Sequence, residues 1–511
     1  MSGESVAKTV WRLDVANEEE TAALARELAT LLRAGDLVAL AGDLGAGKTT
    51  FARALIRTLL EDPTLEAPSP TFTLMQTYEG AGARVVHADF YRLESAAELA
   101  GVGWEEAVED AIVLAEWAER AREAFSGDRL EVRLSFAEAD DRARRLTVSG
   151  YGAFAARLAA FKALYEFLRR EGWAEARRSF MQGDASTRAY EKLEKENGER
   201  AILMISPPRP DGPPVRFGKS YSAIARLAEN VTPFVALSQG LRGLGLSAPE
   251  IYASDLDAGL LLIEDLGSEG VVDESGPIAT RYLEAAGALA YLHAQRLPDK
   301  LPVEGRGPYQ IPPYDLDALL IEVELLPDWY LPQAKATITS GARAIFVNLW
   351  RHALTEVARA RATWTLRDYH SPNLLWLTGR EGVARVGIID FQDCALGHPA
   401  YDMASLGQDA RVTVPDDLEL KLLAHYTKLR READASFDMA AFAKAYSLLA
   451  AQRATKILGI FARLDQRDGK PQYLAHLPRV EAYLRKSLRH PALADIRAWY
   501  EVNLPGLFGD A

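Results

Sequence analysis

Two groups of residues in this chain have the types and spacing needed for phosphoryl chemistry. The first is the glycine-rich run GDLGAGKT, which begins at Gly42 and ends at Thr49. In such a loop successive backbone N–H groups converge on phosphates, and the following helix directs its positive end toward them. Lys48 adds a point charge, and the Thr49 hydroxyl is typical of a Mg²⁺ ligand. We therefore expect ATP and Mg²⁺ to bind here, through Gly42, Gly45, Gly47, Lys48 and Thr49.

The second group lies far downstream. Asp368 is followed five positions later by Asn373, and Asp390 closes the apolar run VGII. This is the spacing of a protein-kinase-like centre, in which one aspartate accepts the proton of the attacking hydroxyl, while asparagine and a second aspartate hold Mg²⁺. The alternative is that these side chains only cap loops. The strand-borne Asp390 favours catalysis, with Asp368 as the base and Asn373 and Asp390 as metal ligands.

The elements that must position these residues are visible in the hydrophobic pattern. An apolar strand pattern at 37–41 runs directly into the glycine loop, and an amphipathic helix pattern follows the loop. Asn17, with Glu20 three positions later, predicts a capped helix that stops at Gly35. The Asn197-Gly198 turn between two strand-like runs begins a new sheet, and Ala/Leu-rich helical patterns dominate from Ala279 onward.

These patterns predict an α/β P-loop NTPase domain followed by an α+β protein-kinase-like domain. The strand patterns of the first domain end near 150–152, and a helical pattern begins at Phe154. We therefore place the first domain at 1–152 and the second at 153–511, with an N-lobe at about 175–268 and a C-lobe at about 269–511. No internal repeat or low-complexity segment is present.

Composition narrows the class of protein. The 511 residues are 48% hydrophobic and carry a formal net charge of -13, so the average surface repels a nucleic-acid backbone. With one cysteine, Cys394, no intrachain disulfide can form, which fits a reducing cytoplasm. No signal-peptide pattern and no run of about 18 uncharged apolar residues is present. The sequence thus predicts a soluble cytoplasmic protein without a membrane partner.

Two carboxylates could complete the first site. Asp89 and Glu116 each end an apolar run, and the carboxyl ends of parallel strands face the same edge of a sheet as the phosphate loop. Either acid could hold Mg²⁺ or orient water, or it could be a solvated loop acid. The Ser69–Thr73 segment is equally open, as a nucleotide-sensing switch or as a strand entry.

The motifs GDLGAGKTTF, SPTFT, HADFYRL and Glu116-Trp117 occur in that order within residues 10–150. Together they resemble TsaE, the P-loop ATPase family of bacterial tRNA threonylcarbamoyladenosine synthesis. The resemblance implies that Glu116 is the second metal-side acid and that Asp89 acts with the Ser69–Thr73 switch. We assign Thr50 and Thr71 to nucleotide binding as well. It also implies docking onto the TsaB and TsaD proteins, with tRNA contacted only indirectly.

The second half is similar to the aminoglycoside phosphotransferase family. More narrowly, GDASTR at 183–188, LIEDLG at 262–267, RDYHSPN at 367–373 and IDFQD at 389–393 resemble AmgK-type kinases. Those kinases phosphorylate the anomeric hydroxyl of N-acetylmuramate and N-acetylglucosamine in cell-wall recycling, which implies an amino-sugar substrate. In these motifs we assign Ser186, Glu264 and Leu266 to nucleotide binding, with Glu264 at the hinge where adenine meets backbone.

The second site departs from protein kinases, because Met204 stands where a phosphate-pairing lysine is expected. Arg188, Lys192 and Lys219 are candidate replacements that the sequence does not rank. We interpret the chain as a bifunctional fusion of ATPase and sugar kinase. Three alternatives stay open: the P-loop domain as a regulatory switch of the kinase, the second half as a non-catalytic scaffold, or a kinase of aminoglycosides or choline.

Overall fold

The computed structural model describes residues 8–93, 98–99, 103–125, 127–137, 140–181, 188–209, 212–360 and 362–509. It divides into two compact units, Met1–Ala174 and Glu175–Ala511. Within the described ranges, none of the helices combines the length and apolar character that a membrane span needs.

The first unit is built on a seven-stranded sheet of order β1-β7-β6-β2-β5-β4-β3. Strand β2 pairs in parallel with both β5 and β6, and β4 pairs in parallel with β5. The strands are β1 Lys8–Val15, β2 Leu37–Gly42, β3 Met75–Gly80, β4 Ala83–Asp89, β5 Ile112–Glu116, β6 Arg129–Ala137 and β7 Asp140–Tyr151. The helices are α1 Glu18–Ala29, α2 Lys48–Leu59, α3 Trp104–Val108 and α4 Ala153–Arg170.

Helix α1 begins with the predicted capping box. The Asn17 side chain accepts from the Glu20 N–H at 2.9 Å, and the Glu20 carboxylate accepts from the Ala16 N–H at 2.8 Å. The predicted end at Gly35 is wrong, since the helix stops at Ala29. Gly35 instead takes a positive φ of 85° in the turn that leads into β2.

The unit boundary falls one helix later than the sequence-based boundary at residue 153. Helix α4 packs on the first sheet, where Phe161 meets Trp11 edge to face with ring centroids 6.0 Å apart. Arg157 adds a hydrogen bond of 2.7 Å to the Asp36 carboxylate. An amphipathic helix shows in sequence that it has an apolar face but not which sheet covers that face, and this is why the boundary was misplaced.

The second unit opens with a five-stranded antiparallel sheet of order β13-β14-β10-β9-β8. The predicted hairpin joins β9 to β10, with Gly198 at a φ of 82°. The sheet strands are β8 Arg177–Met181, β9 Ala189–Glu194, β10 Arg200–Ile205, β13 Ile251–Asp255 and β14 Leu260–Ile263. Short hairpins are formed by β11 Pro214–Arg216 with β12 Lys219–Ser220, β15 Val272–Asp273 with β16 Gly276–Pro277, β17 Lys300–Val303 with β18 Arg306–Gln310, and β20 Leu374–Trp376 with β21 Val386–Ile388. Strands β19 Thr363–Thr365 and β22 Ala395–Gly397, which lie on either side of the last hairpin in the sequence, pair with each other.

Helices make up most of the rest of the second unit, as the Ala/Leu-rich patterns predict. They are α5 Tyr221–Ala225, α6 Thr232–Gly243, α7 Ala279–Ala294, α8 Leu316–Val323, α9 Leu331–Gln333, α10 Ser340–Arg359, α11 Ala400–Gly407, α12 Asp416–Ala433, α13 Met439–Asp468, α14 Leu477–Ser487 and α15 Ala494–Asn503. Helix α13 runs through the core, with an almost continuous buried stretch between Leu448 and Leu464.

Gly459 lets α13 approach another backbone closely. A Cβ at this position would lie 2.4 Å from the carbonyl carbon of Leu325, at the start of a π-helical turn over Leu326–Tyr330. Since real Cβ atoms do not come that close to backbone, any side chain here would push the two elements apart.

We expect Gly459→Ala to lower the stability of the second unit by about 1–3 kcal/mol, through overpacking of the core. Gly243→Ala at the end of α6 is the matched control, because nothing lies within 4 Å of its Cβ position. That change should stay within about 1 kcal/mol of the parent. Calorimetric melting of the two variants checks this, and equal melting temperatures would contradict the close approach.

Candidate active sites

The glycine loop joins β2 to α2 at the carboxyl edge of the first sheet. Gly42, Gly45 and Gly47 all take positive φ, at 136°, 76° and 104°. A Cβ on Gly42 would meet the Leu134 carbonyl oxygen of β6 at 2.2 Å, so glycine is required here for packing as well as for the turn. No described side chain caps α2 at Gly47, so the first backbone N–H groups of α2 are left for a ligand.

The Lys48 side chain is held inside the loop. Its Nζ donates to the carbonyl oxygens of Gly42 and Asp43, at 2.7 and 2.8 Å. The ammonium also lies 3.8 Å from the ring centroid of Trp117. Burial lowers the pKa of Lys48, while Glu116 and other nearby acids oppose the shift. The charge therefore sits where the phosphates of a nucleotide would be received.

Glu116 connects the loop to the neighbouring strands. One of its carboxylate oxygens accepts from the Thr49 hydroxyl at 3.0 Å, and the other lies 2.9 Å from Nε2 of His87. Asp89 is directly opposite Glu116 in the parallel pair β4/β5. Glu116 is 2% exposed and Asp89 3%, which argues against solvated loop acids. The hydroxyl and carboxylate oxygens assembled at this edge are the donors that Mg²⁺ prefers.

Asp89 fixes the segment that the sequence left open. Its carboxylate accepts from the hydroxyls of Ser69 and Thr71, the latter at 2.9 Å, and from the Tyr91 N–H at 2.9 Å. The Ser69–Thr73 segment is thus attached to the carboxyl edge of the sheet, where Asp89 lies opposite Glu116. Thr50 differs, because its hydroxyl donates to Glu18 of α1 at 3.0 Å. Only its backbone N–H, in the first turn of α2, is available for a nucleotide.

The second group of predicted residues meets in one cleft of about 670 Å³, whose lining includes Asp368, Asn373 and Asp390. The predicted hairpin exists, since Leu374 of β20 pairs with Ile388 of β21. The Asn373 amide nitrogen donates to the Asp368 carbonyl at 2.9 Å, which leaves its amide oxygen for another ligand. Asp390 has a left-handed φ of 57°, a conformation that aspartate tolerates better than most residues.

The two aspartates experience different charges. Burial would raise the pKa of Asp368, but the positive charges of Lys456 and its neighbours outweigh it, and the pKa is lowered. For Asp390, burial and the nearby Asp368 raise the pKa, and Arg188 opposes them. Asp368 is therefore a carboxylate at neutral pH, as a proton acceptor must be.

Three further acids hold the loop that carries Asp368. A loop-capping role for Asp402 is one of two interpretations of the sequence, whereas Asp409 and Glu322 carry no signal in a sequence motif. Asp402 accepts from the backbone N–H groups of Leu366 and Arg367, both at 2.8 Å. Asp409 accepts from the Ser371 N–H at 2.8 Å. Glu322 of α8 is fully buried, and its carboxylate contacts Arg367 at 2.5 Å and Lys456 at 2.9 Å. The loop is thereby positioned by groups that do not touch the cleft's metal side.

Comparison with known proteins identifies both units. A family model described as "Phosphotransferase enzyme family" matches residues 177–444, slightly more than half of the chain. The chain belongs to the phosphotransferase enzyme family. A second model, "Threonylcarbamoyl adenosine biosynthesis protein TsaE", matches residues 15–146. The predicted fusion and both fold classes are therefore confirmed, and the chain is an ATP-using phosphotransferase with a TsaE unit before it.

Individual relatives agree with this division. A "N-acetylmuramate/N-acetylglucosamine kinase" of Caulobacter vibrioides is 38% identical over 66% of this chain and 95% of its own length. The protein of the same name from Pseudomonas putida is 31% identical over 65% of this chain and 91% of its own length. For the TsaE unit, the "tRNA threonylcarbamoyladenosine biosynthesis protein TsaE" of Rickettsia felis is 41% identical over 25% of this chain and 73% of its own length.

The structure of the phosphotransferase unit separates the candidate phosphate clamps. Met204 is buried on β10, and Lys192 pairs with Asp265 at 3.0 Å. Lys219 is exposed on β12. Arg188 alone among the three candidates lines the cleft, and its guanidinium lies 3.2 Å from the Asp390 carboxylate. Arg188 is the cation that the geometry favours beside the phosphates.

The predicted hinge for adenine at Glu264 is partly taken up by contacts within the protein. The Glu264 carboxylate is taken up by Arg242 and Arg380, so its side chain is not free for adenine. Glu264 and Leu266 both line the cleft, but the Glu264 N–H already donates to the Glu250 carbonyl at 2.9 Å. The assignment of the two residues to nucleotide binding stays a prediction. Ser186 lies outside the described residues, and its assignment stays a prediction.

His398 lies two residues before α11, the helix that carries Asp402. Its Nδ1 accepts from the Ala400 N–H at 3.1 Å, which requires this nitrogen to be unprotonated. Burial, assisted by the charge of His293, lowers the pKa of His398 to about 4. In the unfolded chain a histidine titrates near pH 6.5.

We expect this histidine to make the phosphotransferase unit acid-sensitive. Between about pH 6.5 and pH 4 the unfolded chain binds the proton more readily than the folded one, so stability falls as the pH falls through that window. The loss attributable to His398 is at most about 3 kcal/mol. Calorimetric melting from pH 7.5 to 4.5 should show a flatter profile for His398→Gln than for the parent. His352→Gln, on the exposed face of α10, should keep the parent profile; identical profiles for all three proteins would contradict the assignment.

Proposed function

We propose that this protein combines two activities. The phosphotransferase unit transfers the γ-phosphoryl group of ATP to the anomeric hydroxyl of N-acetylmuramate or N-acetylglucosamine. The TsaE unit is the ATPase component of the machinery that makes threonylcarbamoyladenosine in tRNA. We infer that the protein acts in the cytoplasm, which the single cysteine and the use of ATP support.

The kinase assignment rests on Asp368, Asn373 and Asp390 meeting in one cleft. Asp368 is ionised and can accept the proton of the acceptor hydroxyl as that oxygen attacks the γ-phosphorus. Asn373 and Asp390 would hold Mg²⁺ through oxygen atoms, which would supply charge neutralisation on the phosphates. Arg188 lies beside Asp390 and would add a further positive charge. A scaffold would have no need to retain the base together with both metal-side ligands.

The choice of an amino sugar rests on the relatives. The kinases named for N-acetylmuramate and N-acetylglucosamine are covered over 95% and 91% of their length, so the acceptor half of the cleft is included in the match. Aminoglycoside or choline phosphorylation remains the competing activity on the same scaffold.

In the TsaE unit, Lys48 and the amides of the glycine loop would bind the phosphates of ATP. Thr49 and Glu116 would hold Mg²⁺. Asp89, which is hydrogen-bonded to Ser69 and Thr71, would transmit the binding of Mg²⁺ to the Ser69–Thr73 segment. We propose that TsaB and TsaD are the partners of this unit, and that tRNA is met only through them. The net charge of -13 supports this, since an acidic protein gains little from direct contact with a phosphate backbone.

A substrate panel tests the kinase. The purified chain with Mg·ATP should release ADP with N-acetylmuramate and N-acetylglucosamine but not with kanamycin or choline, and phosphorus NMR should show a sugar 1-phosphate. Asp368→Asn should lower kcat by about 10²–10⁴-fold through loss of the general base. Asp417→Asn, an exposed carboxylate on α12, should match the parent. Turnover of kanamycin or choline alone would reject the sugar assignment, and full activity of Asp368→Asn would reject the base.

Nucleotide stoichiometry tests the separation of the two sites. Titration with a non-hydrolysable ATP analogue and Mg²⁺ should give two equivalents per chain. Lys48→Ala should remove one, because the loop loses its point charge, while sugar phosphorylation stays within about twofold of the parent on the usual scatter for uncoupled sites. Lys162→Ala on α4, whose amine forms only a surface pair, controls for the loss of a lysine. A kinase rate that changes with Lys48→Ala would instead establish the regulatory-switch alternative.

A further inference from the structure

The cleft of the phosphotransferase unit has a basic wall that the phosphoryl-transfer residues do not explain. Arg453 and Lys456 lie one turn apart on α13, and Arg411 follows α11; all three line the cleft. We call these three residues the basic wall. Below it, Ile457, Ile460 and Phe461 continue the same face of α13 as an apolar floor.

Arg453 differs from Lys456 in its direct partners. It is 5% exposed, and its hydrogen bond among the described residues is a long one, from Nη1 to the Gln408 carbonyl at 3.4 Å. No carboxylate of the described ranges forms an ion pair with it. Lys456, by contrast, is paired with Glu322 at 2.9 Å.

A buried guanidinium without an anion is costly, because desolvation removes its hydration and nothing replaces it. Arg367 shows how this unit neutralises a buried arginine when no ligand is involved, since it is 1% exposed and bonded to the Glu322 carboxylate. Arg453 forms no such ion pair with a carboxylate of the described residues, and it acts on Asp368 only across the cleft. Its guanidinium, which lines the cleft, therefore keeps donors for an anion that arrives with a ligand.

Two members of the basic wall, Arg453 and Lys456, act on the catalytic base across the cleft that they line with it. Lys456 and Arg453 are among the charges that lower the pKa of Asp368 against the effect of burial. Around Asp390 the nearby cation is Arg188, and Gln392 donates to its carboxylate at 2.7 Å. The phosphates of ATP would thus lie beside Arg188 and Asp390, and Arg453 and Lys456 would face the acceptor whose hydroxyl Asp368 serves.

We propose that Arg453, flanked by Arg411, binds a carboxylate on the acceptor sugar. This deepens the proposed function and rests on it. N-acetylmuramate carries a lactyl carboxylate and N-acetylglucosamine does not, so the wall selects the acidic sugar. It also repels acceptors that carry several positive charges, such as aminoglycosides.

The test compares Arg453→Gln with Arg467→Gln, an exposed arginine of the same helix paired with Asp468. Steady-state kinetics are measured with N-acetylmuramate, its methyl ester and N-acetylglucosamine. Arg453→Gln should lower kcat/KM for N-acetylmuramate about 10- to 100-fold, mainly through KM, as expected for a lost charge-assisted hydrogen bond. The ester and N-acetylglucosamine should change less than about threefold, and Arg467→Gln should resemble the parent with all three sugars.

The parent enzyme gives a second readout that does not depend on the variant folding. It should use the free acid better than the methyl ester, by a factor similar to the one that Arg453→Gln removes. Equal use of acid and ester would overturn the inference while leaving the sugar kinase intact. Equal losses on all three sugars, or a raised KM for ATP, would place Arg453 at the phosphates and overturn it as well. A parent enzyme inactive on every sugar would reject the proposed function itself.

Discussion

Both active sites depend on carboxylates that are buried and therefore have to be hydrogen-bonded on more than one side. An ionised acid inside a protein is stable only when donors replace the water it has lost. In the TsaE unit, Thr49 and His87 do this for Glu116. In the phosphotransferase unit, two backbone N–H groups do it for Asp402. The hydrogen bonds to these carboxylates hold the donating segments in place, and those segments carry the candidate functional residues.

The two units use the same requirement in different ways. In the first, the acids end parallel strands, so the sheet register alone places Asp89 opposite Glu116. In the second, the acids lie outside the strands that flank the site, and Asp402 reaches the catalytic loop from α11. The acids of the TsaE site are therefore positioned by the sheet itself, whereas those of the kinase site are positioned by contacts between helices and loops.

The fold classes could be predicted, and the candidate site residues that the structure brings together could be selected, because they lie in short motifs. The glycine loop is read from eight successive residues, and Asp368, Asn373 and Asp390 are close in sequence. The partners that hold them are distant in sequence: Ser69 is 20 residues from Asp89, and Glu322 is 45 from Arg367. Such pairs leave no local pattern. His87 was the exception that could have been found, because it alternates with Asp89 on one face of β4.

Other failures of the sequence analysis have a physical cause of the same kind. The sequence-based boundary at residue 153 puts helix α4 in the second unit, whereas the structure puts it in the first. The apolar face of a helix does not show in sequence which sheet it packs on. Arg188 could not be ranked above Lys192 because both are basic residues on or beside one strand, and only the folded chain shows that Lys192 is occupied by Asp265. Likewise, only the folded chain shows that Arg453 forms no ion pair with a carboxylate of the described residues.

Glu322 has a consequence for reading genetic data on proteins of this kind. Its carboxylate joins α8 to the catalytic loop through Arg367 and to α13 through Lys456, and Tyr314 donates to it as well. A screen that scores enzyme output at every position would rank Glu322 alongside Asp368, although Glu322 is fully buried and does not line the cleft. Positions that do not tolerate substitution in such a screen would therefore include residues that position the catalytic loop, and not only residues that contact the substrates.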